Sequence, residues 1–124
     1  MDHPALPAIA LPADREVLLP RPPVAFTDER GDIINILDGT DIRHIALITS
    51  AIGSIRGHHY HTTQQQYIYV LSGVMYSYSC KVDDPKNIHI LRAKAGDLLY
   101  CPPGVAHAYQ ALTKVSFLNI DDDV

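Results

Sequence analysis

Apolar and polar positions alternate along this chain in short runs, and no stretch sustains an apolar period of 3.6 residues. The runs that read as strands cover 33–37, 42–49, 67–72, 74–80, 88–92, 106–112 and 115–120, all rich in β-branched and aromatic residues. Turn signals separate them: Asp28-Glu29-Arg30-Gly31-Asp32, Asp38-Gly39, Gly53, Gly57, Gly73, Asp83-Asp84-Pro85, Gly96-Asp97 and Pro102-Pro103-Gly104. Many short strands at this spacing predict an all-β sandwich or barrel. No internal repeat points to a solenoid or propeller.

Before Val24 the alternation gives way to proline. Pro4, Pro7, Pro12, Pro20, Pro22 and Pro23 are six of the nine prolines in the chain. A residue without a backbone donor cannot sit in a regular helix or an inner strand. The expected division is a Pro-rich extended arm over 1–23 and a β-barrel domain over 24–124. The arm either lies over its own domain or swaps onto a neighbouring subunit.

A chain of 124 residues suits one domain. That size buries enough apolar surface to fold without a disulfide or structural metal. The net charge of -4 argues against nucleic acid or an anionic membrane as the main partner. It leaves room for one phosphorylated small molecule held by a single Arg. Cys80 and Cys101 are isolated, which fits a reducing compartment. Met1-Asp2-His3-Pro4 has neither the basic nor the apolar region of a signal peptide. No apolar run approaches the roughly 20 residues of a membrane span. The expectation is a soluble cytoplasmic domain with a small-molecule substrate.

Seven histidines change the picture, because four of them crowd into two places. In Arg56-Gly57-His58-His59-Tyr60-His61, strand geometry sends His59 and His61 to one face and His58 to the other. Two imidazoles at that spacing can chelate a metal ion. A bulge at Gly57 would break the parity. In Pro102-Pro103-Gly104-Val105-Ala106-His107, a rigid turn aims His107 from the start of a strand.

These stretches resemble the two motifs of the cupins. Gly53, His59, His61, Gln66 and Gly73 follow the first motif, and Gly96, Pro102, Gly104 and His107 follow the second. The resemblance implies a double-stranded β-helix jelly roll with the motif histidines pointing inward. It implies one divalent metal ion of unknown identity, held by His59, His61, Gln66 and His107. Two positions depart from the pattern: Gln66 stands where Glu is usual, and Ala111 where an Asn often follows the last His. A neutral amide does not balance the ion's charge, so binding should be weaker, and the site can work without metal.

The stretches at 28–32, 56–61 and 67–73 resemble small cupins of sugar-nucleotide metabolism. Those include keto-sugar epimerase and ketoisomerase relatives, and dehydratases of nucleoside aldehydes. The implied chemistry is removal of a proton from the carbon next to a carbonyl. It needs a base near neutrality and a stabiliser of negative charge. His44 shares a strand face with Ile42, Ala46 and Ile48, so it is either a catalytic base in an apolar wall or a core residue. Tyr109 faces the same way as His107 and is a candidate proton donor. Arg56 is the candidate phosphate clamp. Tyr76 and Tyr78 share a face suited to stacking on a base or sugar. An iron-dependent cupin dioxygenase and a non-catalytic ligand binder stand as alternatives, and a homodimer is compatible with the arm.

Overall fold

The computed structural model describes residues 11–60 and 64–122. The described residues form antiparallel strands and no helix, so no helix long and apolar enough to cross a membrane is among them. A five-stranded sheet runs in the order β1 (Val17–Leu18), β9 (Leu98–Cys101), β6 (Gln66–Ser72), β11 (Val115–Asp121), β4 (His44–Ser50). A four-stranded sheet runs β5 (Ile55–His59), β10 (Val105–Ala111), β7 (Val74–Lys81), β8 (His89–Lys94). A hairpin of β2 (Val24–Asp28) and β3 (Gly31–Ile34) forms its own sheet.

The two larger sheets face each other as a jelly roll. Period-two alternation sends Ile68, Val70, Leu99, Val115 and Phe117 of one sheet against Met75, Ala93, Tyr109 and Ala111 of the other. The outer face of the five-stranded sheet is covered as well. There Tyr67, Leu98 and Ile120 pack with Leu19 of the arm and with Ile36 and Leu37.

The arm is therefore joined to the barrel. Val17 and Leu18 pair with Tyr100 and Leu99 at the edge of the sheet, the one place where proline-flanked backbone is tolerated. The run at 33–37 is strand only to Ile34. Ile36 and Leu37 leave the hairpin because apolar surface on Tyr67 and Leu118 is there to be covered. β9 was not expected as a strand, since four residues before two prolines carry no visible period.

Candidate active site

Register places the polar residues of both sheets at one end. Across the first sheet His44, Asp121, Gln66 and Cys101 stand side by side on β4, β11, β6 and β9. Across the second, His59, His107, Ser79 and His89 are neighbours on β5, β10, β7 and β8. One row further in come Ala46, Asn119, Ile68 and Leu99, facing Arg56, Tyr109, Ser77 and Leu91. The next row is apolar: Ile48, Phe117 and Val70 against Ala111, Met75 and Ala93. The barrel interior is thus apolar at one end and lined with polar side chains at the other.

A cavity of about 210 Å3 opens among Ile48, Arg56, Gly57, His107, Tyr109, Phe117 and Asn119. Three residues singled out in the sequence, Arg56, His107 and Tyr109, meet there. His107 and Tyr109 stack with ring centroids 4.9 Å apart. Arg56 spends its Nε on the Ser50 hydroxyl (3.0 Å) and one Nη on the Thr49 carbonyl (2.9 Å). It bridges the edge strands β4 and β5, and only the far edge of its fork can meet a phosphate.

β5 carries a bulge ahead of His59. His107 pairs with His59 while Ala108 pairs with Gly57, so one extra residue sits between Gly57 and His59. Gly57 has φ +108°, a conformation open to glycine, and a Cβ there would lie 2.5 Å from the His107 carbonyl oxygen. His61 lies outside the described residues, and of His59 only the backbone register is described. Gln66 is buried in the same row as Cys101 and Asp121.

His44 stands at the rim with its side chain 49% exposed, its Nδ1 3.3 Å from Asp121 Oδ2. The wall around it is less apolar than its β4 neighbours suggest, because Asp121 is its register partner. Asn119 Nδ2 donates to the same oxygen at 3.1 Å, and Asp121 Oδ1 is buried with no hydrogen-bond partner among the described residues. Tyr76 and Tyr78 lie on the outer face of their sheet, away from the cavity, and meet edge to face at 6.2 Å.

The residue that sequence reading missed is Glu16. It is 1% exposed and reaches into the barrel from the arm. Ser77 donates to its Oε1 and Tyr109 to its Oε2, each at 2.6 Å. His107 Nδ1 lies 3.7 Å from Oε2 and 3.1 Å from Cys101 Sγ. Burial pushes the carboxyl up to about 7, against the lowering effect of hydrogen bonds from Ser77, Tyr109 and Cys101. Burial, then the charge of Glu16, raises Cys101 and Tyr109 further, so both stay protonated. The only sequence signal was the pair Ser77 and Ser79, two small polar residues on the face that continues from Met75.

An ion held by the motif residues would sit among imidazoles and one amide, with no carboxylate from position 66. Glu16, Cys101 and His107 bring their donor atoms within 4.8 Å of one another on the Nδ1 side of the ring. That engagement of Nδ1 orients His107, as a partner behind a metal-binding imidazole does. Of the four residues expected to hold an ion, the structure describes the side chains of Gln66 and His107, both buried.

Residues 46–121 match the family described as Cupin domain. A search of curated proteins finds no match. Among solved structures, the dTDP-4-dehydrorhamnose 3,5-epimerase of Sulfolobus tokodaii superposes with a TM-score of 0.68 at 23% identity, covering 86% of this chain and 69% of that one. The epimerase of Legionella pneumophila in complex with dTDP-4-keto-L-rhamnose gives 0.70 at 20%, covering 84% and 65%. The sugar 3,4-ketoisomerase of Thermoanaerobacterium thermosaccharolyticum in complex with TDP gives 0.73 at 20%, covering 88% and 81%. Likeness at this identity shows a shared fold.

Proposed function

The chain belongs to the cupin domain family, and on that premise we propose that it is an enzyme acting next to a carbonyl on a nucleotide-linked or nucleoside sugar. The reaction is an epimerisation, isomerisation or dehydration that begins by abstraction of the α-proton. The observation that carries this reading is the single cavity shared by an imidazole (His107), a phenol (Tyr109) and a guanidinium (Arg56). His107 supplies a base that works near neutrality. Tyr109 can donate to the developing enolate once its hydroxyl turns from Glu16 Oε2, and Arg56 offers a cation for a phosphate. His44, held by Asp121 at the rim, is a second base. Two structural neighbours hold ligands of the matching class, a nucleotide ketosugar and TDP.

A divalent ion held at His59, His61, Gln66 and His107 would polarise the substrate oxygen, and because it would occupy the free lone pair of the His107 ring, the base in that form would be His44. Gln66→Glu should tighten its binding about tenfold, or 1.4 kcal/mol, measured by calorimetry with Mn2+ or Zn2+. Unchanged affinity would mean that position 66 does not touch the ion. The two free thiols, Cys80 and Cys101, fit work in the cytoplasm.

The partner in assembly is a second copy of this chain. The β2–β3 hairpin leaves Phe26 53% and Ile33 57% exposed, and an isolated hairpin is marginal in water. β4 ends its sheet, with no strand paired beyond it among the described residues, and turns Ile45 and Leu47 outward, also exposed. An open ladder and an apolar hairpin on one chain are self-complementary across a two-fold axis. Phe26→Asp should convert a dimer to a monomer in sedimentation. A wild-type monomer at micromolar concentration would refute the pairing.

The function is tested by incubating the protein with TDP-4-keto-6-deoxyglucose or dTDP-4-keto-L-rhamnose in deuterated water. Deuterium should enter at carbons flanking the carbonyl. Binding without exchange of any flanking proton would make the protein a ligand binder.

A further inference from the structure

We propose that Glu16, a residue of the N-terminal arm, is a positioning residue for the proton-transfer pair, acting through Tyr109 and His107; this rests on the function proposed above. β7 is shaped to receive it. Ser77 and Ser79 occupy buried interior positions, and both hydroxyls serve the arm: Ser77 donates to Oε1 at 2.6 Å, and the Glu16 N–H donates to Ser79 Oγ at 2.9 Å. The other carboxyl oxygen takes the Tyr109 hydroxyl at 2.6 Å. Glu16 therefore decides where the phenol proton points.

It also bears on which nitrogen of His107 is basic. The Cys101 thiol has the Glu16 carboxyl to donate to, and the carbonyls of Pro102 and Val105 at 3.8 and 3.7 Å. Its sulfur then accepts from Nδ1 at 3.1 Å, with Glu16 Oε2 behind it at 3.7 Å. A sulfur acceptor and a carboxyl oxygen on one side of the ring hold the proton on Nδ1, and chemistry with a ligand goes through Nε2. The arm strand thus completes a site whose other members come from the motif strands.

The alternative is that Glu16 merely pins the arm to β7. Glu16→Gln separates the two. Ser77 keeps the amide oxygen at the Oε1 position, so the amide nitrogen faces Tyr109 and Nδ1 and replaces an acceptor by a donor. Ring 15N–1H spectra of His-labelled protein should show the Nδ1–H tautomer in the wild type and a shift towards Nε2–H in the variant. Deuterium incorporation into TDP-4-keto-6-deoxyglucose should fall about 10- to 100-fold. In a Tyr109→Phe background the same change should cost much less, because the two residues act together. An unchanged tautomer in folded Glu16→Gln overturns the proposal, and so does a shifted tautomer with undiminished exchange. If the wild type exchanges nothing, the catalytic reading fails, and the spectra still decide whether Glu16 sets the ring. Should Glu16→Gln not fold, Glu16→Asp carries the same test, since the shorter carboxylate withdraws the acceptor from Tyr109.

Discussion

At pH 8 the Glu16→Gln variant should unfold about 10 °C above the wild-type protein, and the advantage should vanish near pH 4.5. Glu16 is fully buried, and its carboxyl is raised from 4.5 to about 7, burial being the largest cause. Between those values the native protein keeps a proton that the unfolded chain has released. Stability therefore falls as pH rises from about 4.5 to about 7 and levels off above that. A shift of this size corresponds to about 3 kcal/mol. The amide has no charge to bury, so its stability should be nearly flat over the same range. Thermal melts of both proteins at half-unit pH steps give the difference directly. Parallel curves would show that Glu16 ionises as freely in the folded protein as in water. An acid that lowers stability yet lies between a phenol and an imidazole fits the strain that functional sites store.

His107→Ala should lower deuterium exchange by about 10²- to 10⁴-fold, the range for a lost general base. Its effect on folding should be smaller than that of a core truncation. The His107 ring is buried, but its neighbours Cys101, Glu16 and Tyr109 keep partners of their own through Val105, Ser77 and each other. A loss of about 1–3 kcal/mol is expected from the removed hydrogen bond. Phe117→Ala, which empties the centre of the apolar end, should cost about 3–5 kcal/mol. Denaturant midpoints of the two variants make the comparison. Equal losses would mean that position 107 serves the core.

The polar end of the barrel was partly legible in the sequence. Pro102-Pro103-Gly104 fixes where β10 starts, and period two then puts His107 and Tyr109 on one face. β4 parity likewise put His44 with Ala46 and Ile48, but its partner Asp121 lies 77 residues away and only sheet register joins them. Arg56 was visible as a cation, though not its ties to Ser50 and Thr49, which depend on β4 and β5 being neighbouring edges. Glu16 was out of reach for the same reason. Its contacts span 61 residues to Ser77 and 93 to Tyr109, and an acid in a proline-rich arm looks like a solvated one. Local pattern sets which face a side chain takes, whereas burial of a lone carboxyl depends on distant hydroxyls that offset its desolvation.

The most direct measurement is a crystal structure of the protein with TDP-4-keto-6-deoxyglucose. The sugar ring should lie in the cavity between Arg56, His107 and Tyr109, with a carbon next to the carbonyl facing the His107 ring and the diphosphate at Arg56. A sugar bound instead in the apolar groove of about 350 Å3 on the outer face, between Ile55, Tyr78 and Ile88, would contradict it.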